Sequence, residues 1–179
     1  MKKVLYLLGQ LDDRDVEWMI RTGRRERLAA GTTLIREGQP ITALYVVLDG
    51  TVAILTEAAG GAAIAQLGTG EVLGEISFVD GRPPSATARA ATEAVVLAIP
   101  RAAVTNRLAG EVDFAARFYR ALAMFLADRL RQSNRMLGFG QAASQRLAEE
   151  ADEMNPEVLD QVHLAGQRFH EVLQRLLVG

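Results

Sequence analysis

The sequence predicts a mainly β domain with flanking helices, and two observations lead to that prediction. Six short β-rich runs are bounded by turn residues, which is typical of an antiparallel sandwich or barrel. After Pro100 the apolar residues recur at a spacing of about 3.6 instead of two, so helices replace strands in the second half of the chain. The six predicted strands are Thr33–Ile35, Leu44–Leu48, Thr51–Leu55, Ala62–Leu67, Thr87–Ala90 and Ala94–Ile99.

The N-terminal segment predicts one short helix and no targeting signal. Asp12 or Asp13 can cap a helix that runs through Ile20, with Val16 on its inner side. Before this helix, the apolar run Val4–Leu8 has only about five residues, which is too short for a signal sequence or a membrane span. We therefore expect a cytoplasmic protein that does not contact a membrane.

Two adjacent glycines, Gly60 and Gly61, separate the third predicted strand from the fourth. Glycine reaches positive φ without a steric penalty, and a tight reversal between antiparallel strands needs that conformation. The pair therefore predicts the tip of a β-hairpin.

The segment Glu111–Leu137 predicts a long helix with a broad apolar face. That face must be buried either on the chain's own barrel or against a second copy in a symmetric dimer, and the sequence favours a homodimer because so long an aromatic face exceeds what a small roll usually covers. The predicted dimer contacts are Phe114, Phe118, Leu122 and Phe125.

The remainder of the chain predicts a helical extension. Gly138–Gly140 ends the long helix, and Ser144–Met154 is typical of a short acidic helical segment. Asn155 and Pro156 are suited to the N-cap and first turn of a last helix, whose apolar residues then recur at helical spacing. This helix either packs on the rest of the chain or docks a partner protein.

Composition and charge exclude several classes of function. A formal net charge of −2 argues against a general nucleic-acid or anionic-membrane surface, which needs a clustered basic face. The absence of cysteine excludes disulfides, thiolate metal sites and a cysteine nucleophile. His163 and His170 lie in the last helix, outside the strands that would hold the metal of a jelly-roll oxygenase. We expect no catalytic residue, no metal and no cofactor.

The stretch Leu73–Ala90 resembles the phosphate-binding cassette of cyclic-nucleotide-binding domains. It contains a Gly-Glu pair at Gly74 and Glu75, and then a Pro-Pro-Ser-Ala-Thr run after Gly81. The segment Ala30–Thr56 is similar to the front half of the same family, with a glycine at each turn. The resemblance is to the sensor domain of catabolite-activator-type regulators.

This resemblance implies an eight-stranded jelly roll, or double-stranded β-helix, followed by a long helix and a helical C-terminal extension. The domain that resembles the family would span residues 1–137, and the extension residues 138–179. That extension is too short for the winged helix-turn-helix of the family's transcription factors and lacks a basic recognition helix. We expect no nucleic-acid partner.

The resemblance also implies a ligand site in the cassette. Gly74 and Ile76 would bring the backbone close to sugar and phosphate, and Glu75 would accept a hydrogen bond from the ribose 2′-hydroxyl. The alternative for Glu75 is that it only stabilises the cassette helix. The further ligand contacts implied by the family are Ser85, Ala86 and Thr87.

One position departs from the family. Pro84 stands where the family carries the arginine that pairs with the cyclic phosphate, and proline has neither a side-chain donor nor an N–H. Because a hydrogen bond to a charged group contributes about 1.5–3 kcal/mol, affinity should fall about ten- to hundredfold. We expect the two nearby arginines, Arg82 and Arg89, to face solvent.

These observations favour a non-enzymatic regulatory module with weakened or lost affinity for cyclic nucleotides, which remain its possible ligands. The alternative is a ligand-free scaffold that recruits a partner protein through the roll and the C-terminal helices.

Overall fold

The structure is a computed structural model that describes residues 3–136 and 156–178. Within these residues the chain forms eight strands and six α-helices. The strands are β1 Arg24–Leu28, β2 Thr33–Ile35, β3 Ala43–Asp49, β4 Val52–Leu55, β5 Ala63–Leu67, β6 Val72–Leu73, β7 Thr87–Ala90 and β8 Ala94–Pro100. The helices are α1 Lys3–Gln10, α2 Asp13–Thr22, α3 Glu75–Asp80, α4 Arg101–Gly110, α5 Val112–Met136 and α6 Pro156–Leu173, with a π-helical turn at Gln174–Val178.

The strands form two four-stranded antiparallel sheets. Their orders are β1-β8-β3-β6 and β2-β7-β4-β5. This arrangement confirms the predicted eight-stranded roll with a long helix and C-terminal helix. The turn between β4 and β5 contains Gly60 and Gly61 at φ values of +64° and +79°, as the predicted hairpin tip requires.

Two strands are absent from the sequence prediction. Strand β1 reads Arg-Arg-Glu-Arg-Leu and has no apolar alternation, yet it pairs with β8 from Arg24 opposite Ala98 to Leu28 opposite Ala94. Strand β6 has only two residues and pairs with β3. Both strands form because a neighbouring strand offers an edge to pair with, and local sequence does not record such an edge.

Strand β3 runs through the centre of the core and is buried at every position except Asp49. Leu44 and Val46 face the helices, where they border a small apolar cavity together with Trp18 and Phe118. A strand that is covered on both faces has a continuous apolar run, which is the pattern of this segment.

A single buried carboxylate joins three helices. Helix α2 begins with a capping box, in which Asp12 accepts a hydrogen bond from the backbone N–H of Asp15 at 2.9 Å, so Asp12 is the cap. Asp15 itself is completely buried and accepts hydrogen bonds from Arg107 of α4 at 2.7 Å and Arg117 of α5 at 2.8 Å. These bonds fix the start of α5 against α2 and α4.

The inner face of α5 packs on its own barrel. The predicted dimer residues, Phe114, Phe118, Leu122 and Phe125, are all buried within the chain. Phe114, for example, makes an edge contact with Trp18 at a ring distance of 5.7 Å. The four side chains are therefore core residues of a single chain, and the homodimer itself stays a prediction.

Helix α6 begins at Pro156, as the sequence predicts, and packs on α1. Gly9 lies opposite Ala165 at this contact, where a Cβ added to Gly9 would lie 3.7 Å from the Cβ of Ala165, an ordinary van der Waals distance. Arg168 donates to the carbonyl oxygens of Leu8 at 2.7 Å and Leu11 at 2.5 Å, which satisfies acceptors at the end of α1. The apolar side of α6 thus packs against α1 of the same chain. A partner protein that binds α6 stays a prediction.

Some sequence predictions lie outside the described residues, namely the helix end at Gly138–Gly140, the acidic segment Ser144–Met154 and the cap Asn155. The helices of residues 3–136 and 156–178 include none with the length and apolar character to cross a membrane.

Candidate functional site

A cavity of about 280 Å³ opens between the cassette, residues 73–90, and the end of α5. Its apolar wall comes from the roll, and its polar wall from α3, from α5 and from the N-terminus of α1. The apolar side chains are Ile35, Ile54, Leu67, Leu73, Ile76, Pro83, Pro84, Ala86 and Ala88, and the polar ones are Lys3, Glu75, Ser77, Asp80, Arg82, Ser85 and Arg129. An apolar concave site with a few convergent polar groups is typical of a site for a small ligand.

Gly74 is the N-cap of α3, and any other residue at this position would strain the backbone. Its φ of +88° is in the left-handed region that favours glycine. A Cβ at this position would lie only 3.1 Å from the carbonyl oxygen of Ala43 and 3.5 Å from Cδ1 of Ile41. The cassette backbone therefore lies directly on strand β3 and its preceding loop.

Glu75 is a buried carboxylate in the cavity wall. It is 4% exposed, and its Oε1 accepts a hydrogen bond from Nη1 of Arg129 at 3.1 Å. Burial raises the pKa of Glu75, while the charges of Lys3 and Arg129 act in the opposite direction. Glu75 thus faces the cavity as a desolvated acceptor whose described ion-pair partner is Arg129.

Charged side chains of both signs line the cavity. Lys3 lies 3.3 Å from the carboxylate of Glu71, and Arg82 lies in the exposed segment after α3, where its backbone N–H donates to Asp80 at 2.9 Å. Arg82 is exposed, as predicted, but it also borders the cavity. Together with Arg129 and Glu75, the cavity has three cationic side chains and two carboxylates, so it can accommodate an anion.

The second half of the cassette contributes some of the predicted residues and not others. Pro84, Ser85 and Ala86 lie in the cavity wall, as does Ile76, whose side chain is partly open to solvent. Thr87 does not line the cavity, and its hydroxyl accepts a hydrogen bond from the backbone N–H of Glu37 at 3.0 Å. The structure therefore gives Thr87 the role of tying the loop after β2 to the cassette.

The cassette helix is also in direct contact with the long helix. Phe78 of α3 meets Phe118 of α5 edge-on at a ring distance of 5.7 Å. With the Glu75–Arg129 ion pair, two contacts therefore connect α3 to α5, one apolar and one ionic.

Sequence reasoning did not find Arg129 and Lys3. Arg129 is 54 residues from Glu75 in sequence, and no local motif connects them. The sequence does contain one signal. Phe118, Leu122 and Phe125 form a buried stripe along α5, and Arg129 is one turn beyond Phe125 on that stripe, so a charged residue stands where the next apolar residue is expected. A charged residue at the end of a buried stripe indicates a polar partner nearby.

The sequence profile of the family described as "Cyclic nucleotide-binding domain" matches residues 25–110. The chain carries a cyclic nucleotide-binding domain. The matched residues begin in β1, include the whole cassette and end with α4.

Two solved structures resemble this cyclic nucleotide-binding domain and its helices. The N-terminal domain of a transcriptional regulator from Streptomyces coelicolor A3(2) is 32% identical with a TM-score of 0.59, over 75% of this chain and 94% of that chain. The catabolite activator protein of Thermus thermophilus is 26% identical with a TM-score of 0.61, over 96% of this chain and 86% of that chain. These matches confirm the family resemblance seen in the sequence.

One curated relative of the cyclic nucleotide-binding domain is much longer than this chain. An uncharacterized NTE family protein of Mycobacterium tuberculosis is 28% identical over 121 residues, which are 67% of this chain and 20% of that protein. The chain thus spans about a fifth of the length of this relative.

Proposed function

We propose that the chain is a non-enzymatic regulatory module that binds a cyclic nucleotide, with weak affinity, in the cavity at Gly74 and Glu75. The observation that supports this most is Glu75, a carboxylate only 4% exposed in the wall of a cavity of about 280 Å³. A buried carboxylate is costly unless hydrogen-bond donors satisfy it. Ribose hydroxyls are donors of the right kind, and Gly74 lies in the wall of the same cavity next to this carboxylate.

The weak affinity follows from Pro84. This residue lies in the cavity wall, where the family's arginine would offer a guanidinium to the phosphate. Without this guanidinium the ligand loses a charged hydrogen bond worth about 1.5–3 kcal/mol, which corresponds to about a ten- to hundredfold loss of affinity. A ligand that the family would hold at micromolar concentration would then bind here near millimolar concentration.

Restoring the arginine tests this function. We would measure the melting temperature of wild type and Pro84→Arg with cyclic AMP or cyclic GMP at millimolar concentration. If the variant binds ten- to hundredfold more tightly than a millimolar wild type, the ligand should stabilise it by about 1.4–2.7 kcal/mol, against about 0.4 kcal/mol for wild type.

Ala59→Arg is the matched control, because it adds the same charge at an exposed position outside the cavity. It should behave like wild type. Equal stabilisation of both variants would show a nonspecific charge effect, and no stabilisation of any of the three proteins would refute the proposed function.

We also propose that regulation acts through a homodimer formed by the outer face of α5. The residues Val112, Ala116, Tyr119, Ala123, Leu126 and Leu130 recur at alternating spacings of four and three, which is the pattern of a coiled-coil seam. Val112, Tyr119 and Leu130 are large side chains that remain 81%, 49% and 62% exposed in the single chain. A second copy of α5 is the partner that this repeat fits.

Light scattering at tens of micromolar tests the dimer. Tyr119→Glu should give a monomer with an unchanged melting temperature, because Tyr119 is on the outer face. Phe118→Glu is the contrasting variant, and it should unfold the chain because Phe118 belongs to the core. A monomeric wild type, or a dimeric Tyr119→Glu variant, would contradict the proposed seam.

A further inference from the structure

Arg129 reaches the cavity from the long helix and still has hydrogen-bond donors to offer. Its Nη1 donates to Glu75 at 3.1 Å, and its side chain is 49% exposed. A guanidinium carries five N–H donors, and this is the one hydrogen bond that Arg129 makes among the described residues. Within residues 3–131 and 161–177 the remaining donors have no partner, so they can meet an anion in the cavity.

The other two cations of the cavity are placed less favourably for this role. Lys3 is paired with Glu71 at 3.3 Å and lies over the ring of Phe125 at 5.9 Å, and it makes no described hydrogen bond to Glu75. Arg82 is in the exposed stretch before two prolines and makes no described side-chain contact with Glu75. Arg129 is therefore the cation that is bonded to the proposed ribose acceptor.

Ligand chemistry then brings the phosphate to the same place. In a cyclic nucleotide the phosphate is esterified to the 3′-oxygen, on the carbon next to the one that bears the 2′-hydroxyl. A ribose whose 2′-hydroxyl bonds Glu75 consequently has its phosphate within a few ångströms of that carboxylate. A guanidinium held against Glu75 is at the right distance to contact both groups.

We propose that Arg129 supplies the phosphate contact that Pro84 cannot make, so that α5 and not the cassette holds the ligand's charge. This inference rests on the proposed function and names the residue that gives the cavity its remaining affinity. In the free protein Arg129 pairs with Glu75, and in the complex the phosphate shares the guanidinium with that carboxylate. A planar fork that bonds two anions at once suits arginine and not lysine.

The position of Arg129 also connects the ligand to the proposed dimer seam. Arg129 is next to Leu130 and one turn from Leu126, both of which belong to that seam. Binding would therefore act on α5 at the place where the second copy is expected. No movement of the cassette alone is needed for this coupling.

The test is a protein-observed NMR titration of wild type, Arg129→Gln and Arg120→Gln with cyclic AMP and, separately, with adenosine. Arg129→Gln should weaken cyclic AMP at least tenfold and leave adenosine within about twofold, because only cyclic AMP carries the phosphate. Arg120→Gln removes the same charge from an exposed position of the same helix, outside the cavity, and should change neither affinity by more than about twofold. Arg129→Lys keeps a charge at this position and should bind cyclic AMP with intermediate affinity.

The outcomes separate this inference from the proposed function. If wild type binds cyclic AMP and Arg129→Gln binds it equally well, the inference is wrong and the proposed function stands. Equal weakening of cyclic AMP and adenosine would show that Arg129 only supports the shape of the cavity, which also overturns the inference. If wild type binds no cyclic nucleotide at millimolar concentration, both are refuted.

Discussion

Replacing Asp15 by asparagine removes the charge that joins α2, α4 and α5. Asp15 is completely buried and accepts three hydrogen bonds: from Arg107 Nη2 at 2.7 Å, from Arg117 Nε at 2.8 Å and from the backbone N–H of Asp12 at 3.1 Å. The asparagine amide has the same shape but keeps only one acceptor oxygen. Its NH2 group replaces the other oxygen and would face the N–H donors of the neighbouring residues. At least one guanidinium bond is therefore lost.

The loss of stability depends on the arginines that remain buried after the substitution. Arg107 has a side chain only 11% exposed and stays in the core between Trp18 and Phe114, at 4.7 and 4.1 Å from their rings. Arg107 keeps its ion pair with Glu111 at 3.0 Å, and Arg117 keeps its ion pair with Asp12 at 3.1 Å, so the cost is that of a lost charged hydrogen bond, about 1.5–3 kcal/mol. For a chain of this size that loss lowers the melting temperature by about 3–12 °C.

Urea denaturation of wild type and Asp15→Asn, followed by circular dichroism, measures this loss. Asp49→Asn is the control, because Asp49 is exposed at the end of β3 and should stay within about 0.5 kcal/mol of wild type. A change of less than about 1 kcal/mol for Asp15→Asn would refute the reasoning, since it would mean that the buried cluster contributes no more than a surface pair.

Two further predictions concern the cavity. Gly74→Ala should lower the free energy of unfolding by about 1–3 kcal/mol and abolish ligand binding, because a Cβ there meets both an unfavourable φ and the carbonyl oxygen of Ala43. Gly81→Ala has a φ of +71° but open space around it, so it should lose only the free energy that the unfavourable φ costs. Equal losses of the two variants in urea denaturation would contradict the close approach at Gly74. Burial raises the pKa of Glu75. Between the ordinary pKa of about 4.3 and this raised pKa, the folded state therefore binds more protons than the unfolded state, and the free energy of unfolding falls as pH rises. Glu75→Gln lacks this slope and should gain stability relative to wild type through that window; identical pH profiles in urea melts would exclude a raised pKa.

Local patterns predicted those elements whose cause is local. Asp12 is found as a helix cap, and Gly60 and Gly61 as a hairpin tip, because a cap and a positive φ depend on one or two residues. Helix α1 is different. Its eight residues form a helix because Val4, Leu7 and Leu8 are buried against other helices, and that tertiary contact is not written in the segment itself.

The candidate site was predictable only where it is contiguous. Gly74, Glu75 and Ser85 lie in one short segment, so a motif can reveal them, while Arg129 reaches the cavity only through the fold. The inner stripe of α5 shows a related limit. Periodicity indicates that a face such as that of Phe118 is buried, but it does not indicate whether the covering surface belongs to the same chain or to a second copy.

The most direct test of the central claim is a map of backbone amide shifts in ¹⁵N-labelled wild type titrated with cyclic AMP and cyclic GMP to millimolar concentration. The account predicts saturable shifts at Gly74, Glu75 and Ser85 and, through Arg129, along the end of α5, all of them lost in Glu75→Ala. Absence of saturable shifts, or shifts confined to a different surface such as the groove between α2 and α6 lined by Glu17 and Arg175, would contradict it.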